Sequence, residues 1–152
     1  MKIRKARIKD AEEISKLRIQ TLKSIVSKSY GKKWINKLIE WNSVEHIKNH
    51  IKNRDTFCMV EKNKILGCID LEREKLGGLY IKSNLVGKGI GKRLLLFLED
   101  YARKQKLKRL YLFSTKNALN FYEKLGYKLT EKKKVKIEGV TNIDLIMEKK
   151  IK

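Results

Sequence analysis

The residues best suited to chemistry are three glycines, Gly87, Gly89 and Gly91, which follow an apolar run and precede a helical pattern. Glycine has no side chain and tolerates positive φ, so a loop of this kind lets backbone N–H groups approach a ligand closely. At the start of a helix, unpaired N–H groups and the helix dipole both favour an anion. Lys88 and Lys92 add positive charge beside the glycines. This glycine loop therefore predicts a phosphate-binding turn.

Two common phosphate-binding motifs do not fit the glycine loop. A P-loop requires Gly-x-x-x-x-Gly-Lys-Ser/Thr, but Val86 occupies the first glycine position and Arg93 replaces the hydroxyl residue. A dinucleotide-binding fingerprint requires Gly-x-Gly-x-x-Gly, but its third glycine would fall at Lys92 or at Leu94, depending on the register. The loop therefore binds a phosphate in another way, or it is a glycine-rich turn that only joins a strand to a helix.

The elements on either side of the loop must position it. Leu79 to Ile81 form an apolar run typical of a buried strand, and apolar residues recur at helical spacing from Ile90 to Ala102. Leu107 to Phe113 form the next strand-like run. A strand, a helix and a strand in this order are typical of a βαβ unit, which predicts that the two strands are parallel.

The rest of the chain predicts one domain over residues 1–152, because this length suits a single core. We expect Asp10 to cap the first helix, with Glu13 completing a capping box, and Ser43 to cap a later helix. Gly77-Gly78 is typical of a tight turn. The other predicted elements are a strand near Ile3–Ile8, a helical region from Ile14 to Val26, a second from Trp34 to Trp41, and a third after Ser43 that carries Ile47 and Ile51 on one face. They are followed by a hairpin of Phe57–Val60 and Ile65–Leu71, a short helix at Asn117–Leu125, and a closing hairpin of Tyr127–Leu129 and Thr141–Met147 with its turn near Glu138-Gly139.

Composition constrains the partners and the compartment. The formal net charge of +21 predicts attraction to polyanions such as nucleic acid, although a general bias toward lysine accounts for the same charge. Cys58 and Cys68 lie in apolar runs without metal-ligand spacing, which predicts buried thiols in a reducing compartment, the cytoplasm. His46 and His50 are spaced i, i+4, but no third ligand is near, so we expect no metal site. No run is long enough for a membrane span.

A second segment strengthens the interpretation of the glycine loop. This segment, Ala118 to Tyr127, lies one helix and one strand further on and is called the Tyr122 segment below; it reads Ala-Leu-Asn-Phe-Tyr-Glu-Lys-Leu-Gly-Tyr. It resembles the Ala-x-x-Phe-Tyr-Glu-Lys-Leu-Gly-Phe segment of the GNAT family of N-acetyltransferases. The glycine loop resembles the pyrophosphate loop of that family, Gln/Arg-x-x-Gly-x-Gly/Ala, with Val86 in the Gln/Arg position. The order of the predicted elements along the whole chain is also that of the GNAT fold.

The resemblance implies an α/β (α+β) fold. In that fold a single mixed, mostly antiparallel sheet has helices on both faces, and its fourth and fifth strands are parallel but splayed. It implies acetyl-CoA as the cofactor, with the pyrophosphate on the loop backbone and the pantetheine arm along strand four like an added strand. Many relatives have asparagine where this chain has Thr115, and Asn117 is the nearby substitute. The cofactor-binding residues implied in this way are Leu79, Tyr80, Ile81, Val86, Gly87, Lys88, Gly89, Ile90, Gly91, Lys92, Asn117 and Tyr122.

The implied reaction is the direct transfer of acetyl to a primary amine, carried by a small molecule, a polyamine, or a protein N-terminus or lysine. Tyr122 matches the general acid of the family, and the alternative is that it only packs. Asp70, Glu72 and Glu74 alternate along strand three and are expected to face one side. Glu72 is the candidate base, with a water-relayed proton path as the alternative and a solvated strand face as the simplest interpretation of the row.

Two expectations concern the acceptor and the overall role. Tyr30, Trp34 and Trp41 lie where relatives cover the acceptor site, and they either line an acceptor pocket or belong to the core. The alternative to an enzyme is a non-catalytic acyl-CoA-binding or nucleic-acid-associated module on the same fold. A homodimer is one assembly that the resemblance allows.

Overall fold

The strands and helices follow the predicted order, in a computed structural model that describes Met1 to Lys152. The strands are β1 (Lys2–Lys5), β2 (Asp55–Glu61), β3 (Lys64–Glu72), β4 (Lys75–Ile81), β5 (Arg109–Ser114), β6 (Lys128–Ile137) and β7 (Val140–Lys150). The helices are α1 (Ala11–Ser24), α2 (Lys32–Glu40), α3 (Val44–Asn53), α4 (Ile90–Lys104) and α5 (Leu119–Lys124).

The seven strands form one sheet in the order β1-β2-β3-β4-β5-β7-β6. All neighbouring pairs are antiparallel except β4 and β5, which are parallel. These two strands pair only where Lys75 meets Tyr111 and Leu76 meets Leu112. Beyond these pairs the strands separate, which confirms a mixed sheet with splayed parallel strands.

Helices cover both faces of the sheet because side chains of β2 alternate between two apolar clusters. Phe57 and Met59 belong to the cluster that contains the core face of α4. Cys58 and Val60 belong to the cluster that contains apolar residues of α1 and α3. The predicted two-sided coverage is therefore confirmed, and it fixes α4 on one face and α1 on the other.

The predicted turn at Gly77-Gly78 is wrong, because both glycines lie inside β4. The turn before β4 instead contains Arg73, whose φ is 57°. Gly77 is needed for space: a Cβ there would lie 1.9 Å from Oδ1 of Asp70. Asp70 is fully buried and pairs with the buried Arg18 guanidinium, Nη2 to Oδ2 at 3.1 Å. The glycine pair thus allows β4 to pass close to a buried ion pair.

We expect Gly77→Ala to lower the free energy of unfolding by about 2–4 kcal/mol, because the methyl group displaces the Asp70 carboxylate from its buried partner. Denaturant unfolding measures this effect. Gly31→Ala is the control, since a Cβ there meets nothing within 4 Å and the φ of Gly31 is −69°. Equal unfolding free energies for the two variants would contradict the packing argument.

The predicted capping box of α1 is also wrong, because its two acidic side chains bind elsewhere. The Asp10 carboxylate makes no cap hydrogen bond; it accepts from Arg4 at 2.8 Å and from the backbone N–H of Arg7 at 2.7 Å. The Glu13 carboxylate accepts from the backbone N–H of Ile65 at 2.7 Å. Both residues therefore connect α1 to the sheet. Ser43 caps α3 as predicted, accepting from the N–H of His46 at 3.3 Å.

Candidate active site

The glycine loop presents an uninterrupted row of backbone donors. Arg93 is the first residue of α4 whose N–H bonds back along the helix, to the Gly89 carbonyl at 3.1 Å. Every N–H from Val86 to Lys92 lacks an acceptor in the chain. Gly87 and Gly89 both have φ of +85°, in the left-handed region that favours glycine. The backbone here therefore forms a concave donor array at a helix N-terminus, which suits an anion.

Gly91 serves a different purpose in the same loop. A Cβ at this position would lie 3.3 Å from Cζ of Phe121, so a side chain would press against α5. The close approach brings the residue after Phe121, Tyr122, beside the first turn of α4. The glycine loop and the Tyr122 segment, which are separate in sequence, are thus parts of one site.

The splayed edge of β4 adds a second row of free backbone groups. Lys82 donates its N–H to the Leu66 carbonyl of β3 at 2.9 Å. Because backbone groups alternate in direction along a strand, the N–H groups of Leu79 and Ile81 point away from β3, into the gap toward β5. The Thr21 hydroxyl donates to the Ile81 carbonyl at 2.9 Å, which holds α1 against this edge.

A cavity of about 950 Å³ occupies the gap and connects the glycine loop with α1 and α2. Thr115 and Asn117 both lie in its wall. Of the predicted cofactor-binding residues, the cavity is lined by Leu79, Tyr80, Ile81, Val86, Gly87, Gly89, Gly91, Lys92, Asn117 and Tyr122. Lys88 is exposed outside the cavity, and the Ile90 side chain is buried in the core, so these two residues offer only their backbone N–H groups.

Tyr122 is buried in the wall of this cavity, and its hydroxyl has no hydrogen-bond partner in the chain. Its ring packs edge-to-face against Phe121 and Tyr127, with centroids 5.1 and 5.8 Å away. Burial, and then the neighbouring phenol of Tyr80, raise the pKa of Tyr122 above its ordinary value. The side chain is therefore a packed aromatic that also presents a neutral proton donor.

The predicted row of carboxylates does not form in full. Glu74 lies in the turn after β3 and pairs with Arg109 at 3.4 Å, so it does not share a strand face with the other two. Asp70 and Glu72 do lie on one side, since both contact Arg54, at 3.5 and 3.7 Å. None of the three lines the cavity. Glu72 is half-exposed outside it, and Asp70 is enclosed behind Gly77.

The end of the cavity beside α2 combines predicted and unpredicted residues. Tyr30, Trp34 and Trp41 all line it, and the two tryptophan rings meet edge-to-face at 5.8 Å. Tyr30 accepts a hydrogen bond from the backbone N–H of Lys116 at 3.0 Å, which links this end to the segment before α5. Burial raises the pKa of Tyr30. All three aromatics are therefore wall residues, and Trp34 is also buried.

The closing hairpin supplies a wall that the sequence analysis did not foresee. Val135 and Ile137 of β6 and Asn142 and Asp144 of β7 face the cavity. Asp144 is the one carboxylate among the residues that line it. The alternation of Asn142 and Asp144 signals a shared strand face, but nothing local indicates that this face meets the helices. An ion pair between Lys37 and Glu138 connects the hairpin turn to α2.

The structure was also searched for clusters of metal ligands and for helices that could cross a membrane. No group of three or more His, Cys, Asp or Glu side chains is arranged to hold a metal ion. The ring of His46 instead lies 2.8 Å from the Ser43 hydroxyl through Nδ1. No helix combines the length and the apolarity that crossing a bilayer requires.

Comparison with solved structures finds the same fold in other proteins. Structures with the same fold include a GCN5-related N-acetyltransferase from Rhodopseudomonas palustris, with a TM-score of 0.91 and 18% identity over 98% of this chain and 94% of that chain. They also include the PaiA N-acetyltransferase from Thermoplasma acidophilum in complex with coenzyme A, with a TM-score of 0.82 and 25% identity over 98% of each chain. A search by sequence among curated proteins gave no significant match.

A family model described as an acetyltransferase (GNAT) domain matches residues 11–149, nearly the whole chain. The match includes both the glycine loop and the Tyr122 segment. The chain therefore belongs to the GNAT family of N-acetyltransferases, enzymes that use acetyl-CoA as their acyl donor.

Proposed function

We propose that the protein transfers an acetyl group from acetyl-CoA to a primary amine by direct attack in a ternary complex. One observation carries the proposal: the row of unpartnered N–H groups from Val86 to Lys92 opens into the cavity that follows the free β4 edge to Tyr122. The residues fit the cofactor. The loop donors suit a pyrophosphate, and the outward N–H groups of Leu79 and Ile81 suit an arm that adds to the sheet edge.

The chain's own residues have separable tasks in this reaction. When bound, acetyl-CoA supplies a thioester whose carbonyl carbon accepts the amine and whose sulfur departs. The Ile81 N–H points into the gap, where a fixed donor stabilises negative charge on a carbonyl oxygen. Tyr122 holds its proton across the neutral range because its pKa is raised, so it is available to a departing thiolate.

The acceptor amine must lose a proton before it attacks, since an ordinary amine has a pKa near ~10. No carboxylate of β3 reaches the cavity. We therefore propose that water in the open cavity carries this proton outward, with Glu72 at the exposed end of β3 as a candidate final acceptor. A dedicated base in contact with the amine is not part of the proposal.

A thiol-release assay with acetyl-CoA tests the function against a panel of small amines, polyamines and peptides. We expect release of CoA with at least one amine and a matching acetylated product by mass spectrometry. Gly89→Glu protein is the control for catalysis outside the site. Absence of release above spontaneous hydrolysis with every acceptor, in protein that still binds acetyl-CoA, would favour the non-catalytic acyl-CoA-binding module instead.

Association with polyanions is a second candidate role, favoured by the exposed lysines of the edge strand β6. These are Lys128, Lys132, Lys133, Lys134 and Lys136. Lysines on an edge strand also discourage pairing between molecules, so their position has a structural explanation as well. A titration of nucleic acid against salt decides: a steep slope supports the role, and weak binding at low salt removes it.

We also propose a cytoplasmic location. A homodimer is a separate proposal, which analytical sedimentation tests. Cys58 and Cys68 are cross-strand neighbours in β2 and β3, yet both are free, buried thiols. Free thiols at facing positions suit a reducing compartment.

A further inference from the structure

Asp144 is a carboxylate without an ion pair in a strongly basic protein. The chain has 38 lysines and arginines against 17 acidic residues, and the other charged residues that line the cavity are all lysines: Lys75, Lys92 and Lys124. Even so, no nitrogen of a cationic side chain lies within 4.0 Å of the Asp144 carboxylate. Its hydrogen-bond partner in the chain is the Asn142 amide, at 3.4 Å.

The surroundings of Asp144 suit a cation that comes from outside the chain. The carboxylate is half-buried on the hairpin wall and lies close enough to Tyr30 to contribute to the raised pKa of that phenol. Trp34 and Trp41 line the same end of the cavity, and aromatic faces attract cations. The Tyr30 ring is already in contact with a cation of the chain, the Lys116 ammonium, 5.4 Å from the ring centroid. Lys133 faces Asp144 across the strand pair but does not line the cavity. A carboxylate that forms no ion pair among so many lysines is available to a cationic ligand.

The reacting amine is a poor partner for this carboxylate. A nearby negative charge stabilises the ammonium form and raises its pKa, whereas attack requires the neutral amine. A second ammonium group on the same acceptor does not react and keeps its charge throughout. Its contact with the carboxylate therefore strengthens binding without opposing the reaction. The apolar wall formed by Val135, Ile137 and the aromatics suits the carbon chain between the two groups.

We propose that Asp144 binds a second, non-reacting ammonium group of the acceptor, so that the preferred substrates are diamines or larger polycations with an apolar spacer. This inference rests on the proposed transferase function, because it names the acceptor class of the same cavity. Asp144 is thus a specificity residue on β7, opposite α1 and α2.

Diaminobutane and butylamine are the probes, since they differ only in the second amine. We expect the wild-type protein to prefer diaminobutane by roughly tenfold to a hundredfold in kcat/KM, the range of a hydrogen-bonded charge pair. Asp144→Asn should remove most of this preference through KM, with kcat little changed. Glu131→Gln is the matched control: it removes the same charge from an exposed, unpaired carboxylate on the same hairpin.

Calorimetric titration of diaminobutane into the CoA complex gives a readout that does not depend on turnover. Wild-type and Glu131→Gln proteins should bind it, and Asp144→Asn should bind roughly tenfold or more weakly. Equal use of the two amines by the wild-type protein, or equal diaminobutane binding by all three proteins, would overturn the assignment. Failure of the transferase function looks different: no amine releases thiol, and the titration still decides whether Asp144 holds a cation.

Discussion

Gly89→Glu protein should lose the thermal stabilisation that acetyl-CoA gives to the wild-type protein. At a ligand concentration a hundredfold above Kd, binding stabilises a protein by about 2.7 kcal/mol, which for a chain of this length raises Tm by roughly 5–10 °C. The glutamate places negative charge beside the free backbone N–H groups of Val86 to Lys92. It also introduces a side chain at a backbone φ of +85°. Both effects act against a bound pyrophosphate.

Gly89→Glu changes Tm through backbone strain and added charge as well as through loss of the binding site. A control variant with the same strain and charge outside the site separates these effects, and Gly139 is the position for it. Gly139, in the turn between β6 and β7, has φ of +80° and nothing within 4 Å of a Cβ, like Gly89. It does not line the cavity. Gly139→Glu should therefore show a similar decrease in Tm without ligand but keep the full shift with acetyl-CoA. An undiminished shift in Gly89→Glu protein would mean that the pyrophosphate binds elsewhere.

The glycine loop and the Tyr122 segment could be predicted from sequence because their requirements are local. Gly87 and Gly89 are needed for positive φ, which depends on the backbone at those positions alone. The free N–H groups follow from the position of the loop before a helix start. Even Gly126, which ends α5 with φ of +95°, is a local C-cap signal. Signals of this kind need no knowledge of distant contacts.

The errors arose where a distant partner decides the structure. Gly77-Gly78 has the composition of a turn, but Asp70 and Arg18, brought together from β3 and α1, require glycine inside a strand. Glu13 has the spacing of a capping box, but its carboxylate instead accepts a hydrogen bond from the backbone N–H of Ile65 in β3. In both cases a tertiary contact outweighs a local preference that is worth about 1 kcal/mol.

The contribution of Asp144 and the closing hairpin to the cavity was beyond prediction for the same reason. Asp144 lies far along the chain from Tyr30 and Trp34, and the three meet only because the long β6–β7 hairpin reaches over to α2. The splay of β4 and β5, which creates the cavity between them, was expected from the family resemblance and not from the pattern of these residues: pairing stops after Leu76 and Leu112. A period-two pattern predicts a strand but not where its pairing ends.

Tyr122→Phe should lower kcat by roughly 10²-fold to 10⁴-fold, the range of positioned acid–base groups, and leave acetyl-CoA binding nearly intact. The hydroxyl has no hydrogen-bond partner in the chain, so its removal leaves no buried group unsatisfied. The free energy of unfolding should therefore change by about 0.5 kcal/mol or less. Thiol-release kinetics, the acetyl-CoA-induced Tm shift and denaturant unfolding together measure these three quantities.

The pH profile gives a second test of the same role. An acid must be protonated to act, and the pKa of Tyr122 is raised by burial. The wild-type kcat should therefore show no loss assignable to this group until the pH exceeds the ordinary tyrosine pKa of about 10. A step in kcat below pH 9 that disappears in Tyr122→Phe would mean that the folded protein lowers this pKa, against the burial observed.

Tyr127→Phe is the informative control, because the same substitution at a neighbouring buried phenol should give the opposite pattern. The Tyr127 hydroxyl donates to the buried Glu99 carboxylate at 2.9 Å, and the residue does not line the cavity. Its loss should cost about 1–3 kcal/mol of stability and leave kcat nearly unchanged. Equal turnover by wild-type and Tyr122→Phe proteins would remove Tyr122 from the mechanism. Equal losses of turnover in both variants would mean that the loss in Tyr122→Phe is not specific to a proton donor in the cavity.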